Sequence, residues 1–193
     1  MVGKPAAEPV KAFATAKAWE AWLAKHHAVS TGLWVRFHKK NSGRPTVGRA
    51  EALDVALCYG WIDAQAKPLD QDSWLQRFTP RGPKSGWSKI NLGHAERLMK
   101  AKRMRPAGLA RIQEAQADGR WQRAYDSPKA MAVPEDFLKA LGKDKKAKAF
   151  FDTLNRANLY AIAYRLQTAK KPETRQRRME QILEMMAQGK KFH

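Results

Sequence analysis

The chain has 193 residues, 44% of them hydrophobic, and its 37 lysines and arginines against 18 acids give a formal net charge of +19. Seven tryptophans and this apolar content exclude wholesale disorder, and the length suits one substantial domain or a domain with a helical extension. The charge is spread as +5 over residues 1–60, +6 over 61–120 and +8 over 121–193, which excludes a lone basic tail and favours anionic partners such as nucleic acid, acidic lipid or a phosphorylated small molecule.

The opening stretch MVGKPAAEPVKAF lacks the apolar run of a signal peptide, and no segment reaches membrane-spanning length, so a cytoplasmic location is expected. Thr15 is placed to cap a helix running to about His27, with Phe13, Trp19, Trp22 and Leu23 as its apolar stripe. Residues 32–40, GLWVRFHKK, alternate Leu33, Val35 and Phe37 against Trp34, Arg36 and His38, the pattern of a half-buried strand. After turn material at 41–45, residues 49–60 read as a helix stopped by Gly60. That helix holds the single cysteine, Cys58, which rules out an intrachain disulfide and reads as a buried, inert thiol. WIDAQAKPLD and SWLQRFTP follow as two short strands joined by a polar turn at Asp70 to Ser73, completing a small antiparallel sheet with 32–40.

From residue 88 onward the chain reads as helical: 88–102, then MRPAGLARIQEAQADG with Pro106 in its first turn. Residues 120–134 are the best linker. EDFLKALG, KDKKAKAFFDTL, ANLYAIAYRLQTAKK and PETRQRRMEQILEMMAQG complete the series, with Met179, Ile182, Leu183 and Met186 on one face of the last helix and Gly189 stopping it. The expected fold is α+β and predominantly helical, with the small sheet packed on helices in a first domain, 1–126, and a helical C-terminal subdomain, 127–193.

The stretch RFTPRGPKSGWSKIN, 77–91, holds Arg77, Arg81, Lys84 and Lys89 with no carboxylate. Pro80 and Pro83 stiffen it, and Ser88 is placed to cap the helix that follows, with Trp87 and Leu92 at the spacing of a hydrophobic staple. Free amides at a helix start attract anions. The expected site is therefore an anion pocket in which Arg77 and Arg81 contact the ligand. Thr79, Ser85, Ser88 and Asn91 supply polar groups, Trp61 and Trp87 form walls, and Asp63 orients an arginine. A capped helix behind a solvated basic turn explains the same residues without a ligand, and the Gly-Lys-Ser/Thr ending of a phosphate-binding loop is missing.

Asp63, beside Trp61, is the one candidate catalytic carboxylate, and pairing with Arg77 or Arg81 is its simpler role. The five histidines include no i, i+4 pair, and no nucleophile elbow occurs, so neither metal nor cofactor is expected and catalysis is not called for. The alternative function is nucleic-acid binding by the run at 170–178, where Lys170, Lys171, Arg175, Arg177 and Arg178 face one acid at the junction of two helices, with Gln176 among them. A helical hairpin with a solvated basic face is the simpler account of that run, whose turn lacks the usual glycine.

In their order, these stretches resemble the bacterial YdeI/OmpD-associated, or bacteriocin-protection, family. The resemblance is carried by Trp61, Ile62 and Asp63; Arg77 to Arg81; Ser85, Trp87, Ser88 and Asn91; Met104, Pro106 and Gly108; and Ala169, Lys170, Glu173, Thr174, Arg175, Arg177 and Arg178, and it reaches roughly from Phe13 to Lys191. Ala64 departs from the glycine that relatives place after the WID triplet. The resemblance implies a role in protection against antimicrobial peptides and an association with porins. A +19 chain repels a cationic peptide unless an anionic partner intervenes.

Overall fold

A computed structural model describes residues 8–193; the first seven residues of the N-terminal stretch read above for a signal peptide lie outside the described residues. Thr15 accepts a hydrogen bond from the Ala18 amide and opens α1, Ala16–His26, which buries Trp19 and Leu23. The chain turns into β2, Leu33–His38, where Leu33, Val35 and Phe37 are buried and Trp34, Arg36 and His38 half-buried, as the alternation requires. α2, Arg49–Cys58, buries Ala52, Val55, Leu57 and Cys58 and ends at Gly60, whose φ of 73° suits glycine alone.

β3, Trp61–Pro68, and β4, Ser73–Pro80, form the expected hairpin. Its register slips between Asp63 and Ala66, and the buried Gln76 amide donates to the carbonyls of Ala64 and Gln65 at 3.1 Å each. A buried glutamine thus satisfies the acceptors that the bulge leaves out of the ladder. With the short strand β1, Val10–Ala12, the sheet order is β1-β2-β4-β3. It is mixed where an antiparallel one was expected, because β1 pairs in parallel with β2. Three exposed residues of VKA carry no alternation to announce a strand.

α3, Lys89–Lys100, and α4, Pro106–Ala117, follow, with Pro106 in the first turn of α4. Gly108 of α4 lies against the carbonyls of Cys58 and Leu57, an approach only a residue without Cβ permits. Residues 8–87 with 91–123 make one compact unit.

Residues 88–90 with 124–193 make the second. Its helices are α5, Glu135–Leu141; α6, Lys145–Phe151; α7, Arg156–Gln167; and α8, Pro172–Ala187. They bury Phe137, Leu141, Ala147, Phe151, Ile162, Leu166, Ile182 and Met186 in one core, with Met179 and Leu183 packed against it. Asp144 and Asn155 cap α6 and α7 by accepting from amides two or three residues on. At the end of α8, Gly189 adopts φ 67°, its amide donates to Met186 and the Lys190 amide donates to Met185. That pair of bonds is a Schellman motif and reverses the chain after the helix.

Candidate functional site

The structure sends the cations of the 77–91 segment to separate acceptors. Arg77, on β4, grips the Glu8 carboxylate with two nitrogens, its Nε donating to Oε2 at 2.6 Å. The bond to Arg77 holds the Glu8 carboxyl below the usual carboxylate range against the opposing effect of burial. Arg81 is only 5% exposed, with its guanidinium stacked 3.7 Å above the Trp87 ring and donating to the Gly86 carbonyl at 3.1 Å. Arg120, also buried, donates to the Ser85 carbonyl at 2.9 Å and pairs with Asp118.

Two arginines therefore tie the turn to itself and to the end of α4. Lys84 is exposed at the tip, and Thr79 and Ser85 are half-buried. At the start of α3, Ser88 bridges to Tyr125, the Lys89 amide donates to the Tyr125 carbonyl at 2.8 Å, and the Lys89 ammonium pairs with Asp126 at 2.7 Å. Asn91 is half-buried in the first turn.

The two tryptophans expected to wall one pocket belong to different clusters. Trp61 packs edge-on to Trp19 and Trp22 and donates its indole N–H to the His27 carbonyl at 3.1 Å. Trp87 packs on Trp121 with ring centroids 5.0 Å apart, and its buried indole N–H has no acceptor among the described residues. Asp63 pairs with Arg49 at 3.5 Å, where Arg77 or Arg81 was expected as its partner. Arg77 is engaged by Glu8 instead, and the Arg81 guanidinium sits over the Trp87 ring.

The C-terminal basic run is also divided. Arg175 makes two bonds to Asp136, at 2.6 and 2.9 Å, which keep that carboxyl in the ionised form below its ordinary range. Arg178 donates to the Arg165 carbonyl at 2.7 Å, satisfying a last-turn acceptor of α7. Lys170, Lys171, Gln176 and Arg177 are exposed.

Of the groups that line the clefts of this unit, sequence reasoning named Arg178 and Ile182 in other roles and missed Arg165 and the aromatic residues. Arg165 and Arg178 are shared by two clefts of ≈ 360 Å³ each. One is lined also by Ile182, Met185, Lys190 and Phe192, the other by Tyr160, Tyr164, Thr168 and His193. The Arg165 guanidinium lies 4.3 Å from the centre of the Phe192 ring. The ion pairs of this unit join Lys89 to Asp126, Lys148 to Asp152 and Arg175 to Asp136, and among the described residues no carboxylate pairs with Arg165 or Arg178. Arg178, read as a nucleic-acid contact, and Gly189, read as a helix stop, were the sequence signals near these clefts.

In the first unit, Asp54 accepts from Arg97 at 2.7 and 2.8 Å and meets His94 Nδ1 at 3.1 Å, a cluster assembled from α2 and α3. A cleft of ≈ 230 Å³ beside it is lined by Glu20, Val55, Cys58, Lys102, Arg103 and Arg105, and burial pushes the Cys58 thiol up, away from thiolate character. Among the described residues, no three His, Cys, Asp or Glu side chains converge as a metal-holding group, and no helix is long and apolar enough to cross a membrane.

Comparison with family models divides the chain. Residues 11–111, more than half of it, match the model described as Domain of unknown function (DUF8412). Residues 130–189 match the model described as Bacteriocin-protection, YdeI or OmpD-Associated. Of the motifs that carry the resemblance, those at 61–108 fall in the first match and those at 169–178 in the second. No curated protein and no solved structure matches the chain.

Proposed function

We propose, for a chain that belongs to the family of the Domain of unknown function (DUF8412) and carries a bacteriocin-protection, YdeI or OmpD-associated segment, a non-catalytic cytoplasmic protein that binds an anionic small molecule or group. The reading rests on one observation: Arg165 and Arg178 line the same two clefts with no carboxylate partner among the described residues. Two guanidiniums on one small patch repel each other, and an anion between them relieves that repulsion while gaining charge-assisted hydrogen bonds. Arg178 is already oriented by its bond to the Arg165 carbonyl, so little side-chain entropy is lost when it takes a ligand.

The test is thermal unfolding with sodium phosphate and sodium acetate against sodium chloride at matched ionic strength. Wild type should gain stability with anion concentration by mass action, and the Arg165→Gln/Arg178→Gln variant should not. Equal gains in both proteins remove the site.

A second reading keeps the anion at the 77–91 turn, where the buried Trp87 N–H without an acceptor favours it. Phosphate stabilisation that survives the double arginine variant and disappears in Trp87→Phe would assign the anion there.

A further inference from the structure

The two clefts around Arg165 and Arg178 differ from a bare anion patch in what surrounds the charge. The first is floored by buried Ile182 and walled by Met185 and Phe192, so its non-charged surface is largely aliphatic and aromatic. Lys190 adds a third cation at its edge, while its one carboxylate, Glu184, already accepts from Gln188 at 3.0 Å. At ≈ 360 Å³ the cleft lies at the lower end of the roughly 300–1,000 Å³ typical of small-molecule pockets. The second lobe offers Tyr160, Tyr164 and Thr168, and burial raises the Tyr160 phenol, which keeps it a neutral hydrogen-bond donor.

The aromatic wall is fixed in place. The Schellman turn at Gly189 sends residues 190–193 back toward α7, and buried Asn158 of that helix holds them. Its Oδ1 accepts from the amides of Phe192 and His193 at 3.0 and 3.1 Å, and its Nδ2 donates to the His193 carbonyl at 3.4 Å and to Asn155 Oδ1 at 2.9 Å. Phe192 is thereby set under the Arg165 guanidinium as part of the unit's fold. A pocket whose wall is pre-ordered does not have to order it when a ligand arrives.

Resting on the anion-binding reading of these arginines, we infer that the ligand is a single-headed amphipathic anion: a carboxylate or phosphate head on a medium-length acyl or an aryl body. The head sits between Arg165 and Arg178, and the body lies along Ile182, Met185 and Phe192. Charge selects the head, because the lining carries three cations and one already engaged carboxylate. Apolar area selects the body, because a purely inorganic ion leaves Met185 and Phe192 facing water.

Octanoate, octyl phosphate, acetate and inorganic phosphate are titrated into the full chain, with arginine side-chain NMR signals as the readout. Octanoate should bind at least tenfold more tightly than acetate, and octyl phosphate at least tenfold more tightly than phosphate; the stronger of the two pairs identifies the head group. Phe192→Ala should bring the octyl-over-acetate and octyl-over-phosphate affinity ratios down toward one, and Arg165→Gln/Arg178→Gln should abolish binding of all four. Octyl ligands that bind no more tightly than the inorganic or short-chain anions overturn this inference and leave the anion-binding reading standing. Octyl ligands that bind the double arginine variant as well as wild type overturn it too, since apolar contact alone would then suffice. Absence of shifts with every ligand overturns both.

Discussion

Gly108 is packed so closely on Cys58 that a β-carbon added to it would stand 2.3 Å from the Cys58 carbonyl oxygen. Leu57 O would be 2.7 Å away, and both obstacles are backbone atoms of α2 that no rotamer change can move. Gly108→Ala must therefore separate α2 from α4, at a cost of about 2–3 kcal/mol as for other overpacked sites. Gly93, inside α3, makes the contrast: apart from its chain neighbours and its own helix backbone, no atom of the described residues lies within 4 Å of its added β-carbon. There the same change raises helix propensity and should stabilise by about 0.5–1 kcal/mol. Urea unfolding followed by tryptophan fluorescence of both variants checks the opposite signs.

The Glu8–Arg77 pair predicts a pH dependence. Because Arg77 holds the folded Glu8 carboxyl below its ordinary range, the stabilisation is present at pH values above the unfolded pKa of about 4.3 and is lost as pH falls through the lower folded value. Both side chains are partly exposed, at 20% and 32%, so solvent screening limits the pair. Glu8→Gln should cost about 1 kcal/mol at neutral pH, a figure suited to a two-point but screened ion pair. The gap between wild type and variant should stay constant down to about pH 5 and close as the carboxylate protonates in both folded and unfolded chains. A gap of equal size at pH 3 and pH 7 would show that the carboxylate's charge contributes nothing.

Local patterns carried most of the fold. The alternation of 33–38, the Thr15 cap, the stops at Gly60 and Gly189 and Pro106 at a helix start each depend on neighbours a few residues away, and each element appears where those signals put it. β1 was illegible because VKA becomes a strand only by pairing with β2, a partner more than twenty residues on.

The candidate site was harder for a different reason. Sequence shows how many donors a basic stretch holds but not which acceptors they reach. Gly86, Ser85 and Arg165 accept through backbone carbonyls, a group that every residue owns and that therefore leaves no trace in the sequence. Glu8 and Arg77, or Arg165 and Phe192, meet only after the chain has folded.

Arg81 illustrates the consequence for mutagenesis. It was expected to touch a ligand, yet it lies 5% exposed with its guanidinium over the Trp87 ring. Arg81→Ala should lower stability by about 2 kcal/mol through lost stacking and packing of its stem. Arg81→Lys should recover less than half of that, because an ammonium keeps the charge but lacks the planar fork that stacks on the indole and reaches the Gly86 carbonyl. Thermal unfolding with near-ultraviolet circular dichroism of the tryptophans separates the cases. Full recovery by lysine would mean that charge alone, and not the stacked plane, holds the turn.

The nucleic-acid alternative makes a numerical prediction that the geometry sharpens. Of the five cations at 170–178, Arg175 is neutralised by Asp136 and Arg178 lines the clefts it shares with Arg165, which leaves the exposed Lys170, Lys171 and Arg177 to meet phosphates. Three contacts on a random-sequence duplex give a slope of log affinity against log salt of about −2.7, since each neutralised phosphate adds about −0.9. Replacing Lys170, Lys171 and Arg177 with alanine should then flatten the dependence, whereas Arg175→Ala should leave the slope unchanged and lower only stability. A slope near about −4.5 at five contacts would require Arg175 to leave Asp136 and Arg178 to turn out of its clefts, so binding would have to remodel the helical hairpin instead of meeting it as folded.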